Sequence, residues 1–462
     1  MNKELSFRNV VGIWLLAVLF LVLHGITISF GTFDLSNITI YITFFINGVL
    51  WLALLVKELW VRPYSMKVIY YTFSLFFFYY AALLQFINER FPWVIYRDHD
   101  TVLHANLLLF LFTVCYEFGS QIASERKITH DSFIFKEFDI SHVRMILITL
   151  ACLGVLLNKI RIVGVGGLFS RTTVSESTDY GESSAITTLI KQILIAVQCV
   201  SALVSLVAAK KDHKKSIYFV LCMIFLLGTY PPGMVSRYAV ATIYGSIFIL
   251  MFDSLKKNRL FILTFCLAYT ILFPFLNNFR HTDYADVDTM KALSNTIEGI
   301  RTDWLAGDYD AYTTFTMTLD NVKTLGLSAG RQLLVVILFF VPRDMWPNKP
   351  YGSGDYMGRC LNWSFTNLSC PLPGEAYINF GVFGIILFGV VLGFVTKLMD
   401  RFYWEKRSDT RTKFDILYAI TLMMFFFMLR GDLLSSWAYL LAFVFVWALF
   451  TFSIPESLLK KG

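Results

Sequence analysis

The chain has 462 residues, of which 56% are hydrophobic, 17% aromatic and only 16% charged, and its mean hydropathy is +0.60. A soluble domain carries about 25% charged residues, so this composition excludes an ordinary soluble protein and points to a polytopic membrane protein. The net charge of +7 is scattered through loops between apolar runs, which membrane topology explains, so no nucleic-acid partner is expected.

The first apolar run, 10–30, is too long for a signal-peptide core and reads as a retained span. Further runs follow at 38–56, 68–87, 101–122, 143–158, 187–209, 216–230, 236–255, 260–279, 377–396, 414–429 and 434–454. The expected fold is therefore all-α, with about 12 membrane-spanning helices. The division is a membrane domain over 1–280, a large loop over 281–376, and a second membrane portion over 377–462.

Twelve spans put both termini on one side. That side carries 24 of the 40 cations, in clusters such as Lys210, Lys211, Lys214 and Lys215, so it is the cytoplasmic side. The 16 outer cations differ in kind: five are Lys and eleven are Arg. The inside rule does not distinguish the two, whereas bidentate recognition of phosphate or carboxylate favours Arg. Arg171, Arg237, Arg280, Arg343 and Arg430 lie in outer loops or at span ends, and with Lys349 they are the candidates for a diphosphate site at headgroup level. Interfacial snorkelling is the bland alternative for each of them.

The large outer loop changes character along its length, with charge −6 over 281–320 and +2 over 321–376. A helix over about 287–325 is expected as a cap over the outer face. A short apolar helix over 332–341 follows, too short to span a bilayer and so lying in or dipping into it. Next come Pro342-Arg343, Trp346-Pro347, Lys349-Pro350 and Gly374-Glu375: rigid turns, fixed cations and a carboxylate beside a hydrophobic surface. Cys360 and Cys370 share this loop and are disulfide candidates on an oxidising side. The other five cysteines lie in or beside spans as small apolar fillers.

Charged residues in mid-span mark ion-coupled transport, and here they are few: Glu117 and Asp253 sit near span ends, and His24 reads as a packing residue. Hydrolase, zinc-protease and nucleotide-binding motifs are missing from the sequence. Transfer from a diphosphate leaving group needs cations to stabilise the departing charge and a base for the acceptor hydroxyl. Candidate bases are Asp310, Glu375, Asp432 and His281. Asp303, Asp308 and Asp310 read as a solvated acidic stretch, and no metal or other cofactor is expected.

Several strings resemble the bacterial O-antigen and capsule repeat-unit polymerases of the Wzy type. They are Phe340-Val341-Pro342-Arg343 with Trp346-Pro347-Asn348-Lys349-Pro350; Gly374-Glu375-Ala376-Tyr377-Ile378-Asn379-Phe380-Gly381; Gly307-Asp308-Tyr309-Asp310-Ala311-Tyr312; and Ser236-Arg237-Tyr238. Phe273-Pro274 and Phe279-Arg280 belong to the same set, and the likeness covers mainly 160–385. The resemblance implies a GT-C-like glycosyltransferase of the bacterial inner membrane, with its active site facing outward. It would join undecaprenyl-diphosphate-linked oligosaccharide units, with no nucleotide sugar, and with a chain-length regulator as a further partner. It implies Arg237, Arg280 and Arg343 as the essential outer arginines, with Lys349, Asp310 and Glu375 as further motif residues. Tyr377 joins the substrate-contacting candidates, whereas Arg171 and Arg430 rest on charge and position alone. Two rival readings are an O-antigen ligase and a lipid-linked oligosaccharide flippase.

Overall fold

The computed structural model describes residues 7–29, 33–94, 98–128, 133–135, 137–165, 168, 185–232, 235–257, 260–267, 304–363, 365–405 and 410–452. Among the described residues the regular structure is helical, with two isolated bridges in place of any sheet. Eight helices are long and apolar enough to cross a membrane. These are α1 (Val10–Ser29 within Phe7–Ser29), α2 (Ile38–Val61), α3 (Met66–Ile87), α4 (His99–Glu125), α5 (His142–Val163), α6 (Ala185–Lys211), α13 (Leu372–Trp404) and α15 (Leu433–Thr451). The molecule is thus compatible with a polytopic membrane protein.

The remaining expected spans are helical too where they are described, but none is among the eight. α7 (Ser216–Thr229) has 14 residues. α8 (Arg237–Met251) is interrupted by a π-helical turn at Ala241–Gly245. α9 (Leu260–Leu267) has eight described residues. α14 (Lys413–Arg430) is 18 residues long, with Lys413, Asp415 and Arg430 at its ends. At about 1.5 Å per residue, 14 residues cover roughly 21 Å of a 30 Å hydrocarbon core.

α3 is the central element, wholly buried along its apolar window. A helix that is hydrophobic all round must be surrounded by others, and its seven-residue π turn, Ser74–Tyr80, packs five aromatic rings into the core. The outer faces of α1, α2 and α5 are apolar instead: Trp14, Phe45 and Leu150 are more than half exposed, as hydrocarbon-facing positions require.

α4 and α13 pack closely because small residues let their backbones meet. A Cβ at Gly119 would overlap the Val390 carbonyl, and one at Gly393 would overlap the Tyr116 carbonyl oxygen. Gly389 and Gly393 repeat at the four-residue spacing that aligns glycines on one helix face. α13 breaks at Gly381, whose φ of 60° is non-helical. There the Ile378 carbonyl accepts the Ser328 N–H at 2.9 Å, and the Ser328 hydroxyl donates to Asn379 at 3.0 Å.

The described part of the expected outer cap is not a cap. α10 (Ala311–Leu325) buries residues 311–319 completely and lies against α3, α4 and α13. Its threonines tolerate this because Thr314, Thr316 and Thr318 donate to carbonyls of their own helix, and Tyr312 donates to Asn106 at 2.9 Å. The expected helix over 332–341 is shorter, α11 (Arg331–Ile337), and is followed by turns and then α12 (Ser353–Cys360).

At the opposite end of α3, buried charges are mutually satisfied. Asp400 accepts the Met66 N–H at 2.8 Å and the Tyr418 hydroxyl at 2.6 Å, Arg62 bridges Glu58 and Glu405, and Lys67 pairs with Glu117 at 2.8 Å. These ties fix α2, α3, α4, α13 and α14 at the end away from the residues considered next.

Gly393→Ala should lower stability by about 1–3 kcal/mol through overpacking, measured by chemical denaturation in detergent. Gly154→Ala, with nothing within 4 Å of the added methyl, should leave the midpoint unchanged.

Candidate functional site

Asp310 precedes the first turn of α10 and is 1% exposed. A buried carboxylate needs donors, and it has three. Arg430, at the end of α14, reaches Oδ1 at 2.9 Å; the Ser369 hydroxyl reaches Oδ1 at 2.7 Å; the Trp93 indole N–H reaches Oδ2 at 3.0 Å. Arg430 also donates to the Gly307 carbonyl at 2.9 Å. Trp93 stands in left-handed backbone conformation at φ 71°, a local strain of the kind that collects at functional sites. Its ring fills the space where a side chain at Gly307 would lie. Two residues before Asp310, Asp308 pairs with Arg237 at 3.0 Å. The other terminal nitrogen of Arg237 is buried with no partner among the described residues.

A second carboxylate pair adjoins the first. Glu375, in the first turn of α13, is 1% exposed and accepts the Ser353 hydroxyl at 2.6 Å and the Leu433 N–H at 3.0 Å. Asp432, the N-cap of α15, accepts the Leu434 and Ser435 N–H groups on Oδ1 and the Gly354 N–H on Oδ2 at 3.2 Å. The two carboxylates therefore hold adjacent residues, Ser353 by Glu375 and Gly354 by Asp432, while Glu375 also holds the residue after Asp432. Glycines permit this approach: a Cβ at Gly352 would strike the Asp432 carboxylate, and one at Gly431 would strike the Cys370 carbonyl. Burial, with Asp355 adding to it, raises the pKa of Asp432 above the ordinary carboxylate range.

The connection 338–352 carries the cations. Lys349 is 7% exposed and its ammonium donates to the carbonyls of Phe339 and Val341 at 2.7 and 2.8 Å. Burial, and then the Arg343 charge, lowers its pKa. Arg343 donates to the carbonyls of Lys349 and Pro350 and lies over the Tyr351 ring, 4.1 Å from its centroid. Arg359, paired with Asp355 at 2.7 Å, lies over the same ring at 3.8 Å. Arg331 donates to the Asn348 carbonyl at 3.2 Å. Tyr351 leads directly to Gly352 and Ser353, so this cationic turn abuts the Glu375–Asp432 pair.

The sequence candidates thus divide. Asp310, Glu375, Arg237, Arg430 and Asp432 converge through direct contacts or shared neighbours, and Arg343 and Lys349 adjoin them. Tyr377 lies instead with its ring against His104, 6.0 Å between centroids. Arg171, Arg280 and His281 lie outside the described residues. Trp93, Ser353, Gly352, Ser369 and Tyr351 are contributors that sequence reasoning did not single out, and Asp308, read there as a solvated acid, is a partner of Arg237. Only Trp93 carried a hint, as an aromatic residue directly after Pro92. No group of His, Cys, Asp or Glu with metal-binding geometry occurs among the described residues.

The expected Cys360–Cys370 bridge is not formed. Cys360 ends α12 exposed, while Cys370 is buried with Met317, Met357 and Leu368. Burial, with Glu375 and Asp432 nearby, pushes the Cys370 thiol well above the ordinary thiol range.

The chain matches no known family, and no curated protein or solved structure shows significant similarity to it.

A maleimide should label Cys360 in the folded protein and Cys370 only after denaturation, as read by peptide mass spectrometry. Recovery of a linked Cys360–Cys370 peptide under non-reducing conditions would contradict this arrangement.

Proposed function

We propose that the protein is a membrane glycosyltransferase of the Wzy polymerase kind. It would join oligosaccharide repeat units carried on undecaprenyl diphosphate at the outer face of the inner membrane. The observation that carries the reading is the meeting of a cationic turn with a pair of sequestered carboxylates at the ends of apolar helices. A lipid-linked diphosphate lies at headgroup depth, with its prenyl chain among hydrocarbon and its sugar in water. A site for it needs positive charge, a proton acceptor and an apolar flank, side by side.

The charge is distributed in a way that assigns parts to the substrate. Arg237 and Arg430 already have carboxylate partners in Asp308 and Asp310, so they fix the start of α10 and contribute little free charge. Arg343 and Lys349 donate to carbonyls, which orients them without neutralising them. They, with Arg331, take the diphosphate and stabilise the charge that grows on it as the glycosidic bond breaks. Leu334, Ile337, Phe340 and Met345, all more than 40% exposed beside this turn, provide the apolar flank for the prenyl chain. The charge asymmetry of the loops directs this end outward and the Asp400 end to the cytoplasm. A flippase is the weaker reading because the cations gather at one end of the bundle.

Deletion should leave surface lipid capped with single repeat units, read by gel analysis of surface polysaccharide. Arg343→Ala should reproduce that phenotype with the protein still present in the membrane. Long chains persisting in the deletion strain, or a complete lack of capped lipid, would sink the polymerase reading, the second outcome favouring a ligase or flippase.

A further inference from the structure

We infer that Asp432 is the general base of this site, taking the proton from the acceptor sugar hydroxyl; the inference rests on the glycosyl-transfer reading above. Three of the candidate bases named from the sequence lie among the described residues. Asp310 is 1% exposed, and both its oxygens are engaged, by Arg430, Ser369 and Trp93. Those donors, at a position closed to solvent, leave no oxygen for a substrate to reach. Glu375 is equally buried, with one oxygen on the Ser353 hydroxyl and the other on the Leu433 N–H. Asp432 is partly exposed.

Its two oxygens are used differently. Oδ1 accepts two N–H groups of the first turn of α15, which fixes the carboxylate plane. Oδ2 meets one N–H, that of Gly354, at 3.2 Å, the long end of the hydrogen-bond range. The backbone of Gly352 packs directly against this oxygen, leaving no room there for a side chain. Asp432 is thus oriented by backbone N–H groups on both oxygens, and its partial exposure, against 1% for Asp310 and Glu375, is what lets an acceptor hydroxyl approach it, as a general base requires. The titratable groups acting on it are Glu375 on α13, Asp355 on α12 and Cys370 ahead of α13. Burial and the Asp355 charge raise its pKa, which brings the base closer to working pH.

The step balances as follows. The acceptor O–H bond breaks and its proton passes to Oδ2. The acceptor oxygen forms a bond to the anomeric carbon of the donor sugar. The bond from that carbon to the diphosphate oxygen breaks, and undecaprenyl diphosphate leaves with the electron pair. The proton on Asp432 is then released to water.

The test uses the full-length protein in nanodiscs with undecaprenyl-diphosphate-linked repeat units as substrate. Asp432→Asn should lower kcat by about 10²–10⁴-fold while KM for the lipid-linked unit stays within about threefold, and Asp432→Glu should recover part of the rate. In Asp355→Asn, loss of a neighbouring negative charge should move the acidic limb of kcat/KM to lower pH. A structural role for Asp432 would move none of these limbs and would lower thermal stability together with substrate binding. Asp432→Asn retaining more than about a tenth of the rate, or an acidic limb unmoved in Asp355→Asn, overturns the assignment alone. A wild-type protein that forms no glycosidic bond overturns the assignment and the transferase reading together.

Discussion

The contact between Asp310 and Arg430 decides where four parts of the chain meet. The carboxylate introduces α10, the guanidinium closes α14, the Ser369 hydroxyl comes from the connection into α13, and the Trp93 indole comes from the segment after α3. A carboxylate this far from water is tolerable only with such a set of donors, and removing one partner would leave an uncompensated charge. Because Arg430 stands one residue before Gly431, the same contact places Asp432 and the start of α15. Because Ser369 stands just before Cys370 and Pro371, it also places the first turn of α13 and Glu375. The second carboxylate pair is therefore located by the first.

This arrangement separates two kinds of positive charge. Arg237 and Arg430 are matched by Asp308 and Asp310 and act as fasteners. Arg331, Arg343 and Lys349 are tied to carbonyl oxygens, which sets their direction but leaves their charge uncancelled. Among the described outer arginines, then, a cationic turn stands beside an ion-paired wall. On the proposed reading, a diphosphate would meet the first and uncharged sugar the second.

Much of the membrane character was legible in the sequence, because a deficit of charge and repeated apolar runs follow from the solvent a chain must face. Helix length was partly legible: the run 216–230 was already short, as α7 is, whereas the π turn in α8 left no mark on its composition. The burial of α10 was hidden by its own composition. Thr313, Thr314, Thr316 and Thr318 read as polar and exposed, but three of these hydroxyls return to carbonyls of the same helix and present an apolar exterior. Among the site residues, the acids and arginines stood out by type. Their pairing did not, since Asp310 and Arg430 are 120 residues apart, and no local pattern joins Gly352 to Asp432. The Cys360–Cys370 bridge failed for a related reason: nearness in sequence said nothing of the turn that exposes one thiol and buries the other.

The central claim is that this cationic turn and carboxylate pair transfer a glycan off a lipid diphosphate. The most direct measurement is a reconstitution of the purified chain in nanodiscs with repeat units on undecaprenyl diphosphate, following products and released carrier by mass spectrometry. The account predicts glycans lengthened by whole repeat units, with one undecaprenyl diphosphate freed for each bond formed. Unchanged substrate, or longer glycans without matching release of the lipid diphosphate, would contradict it.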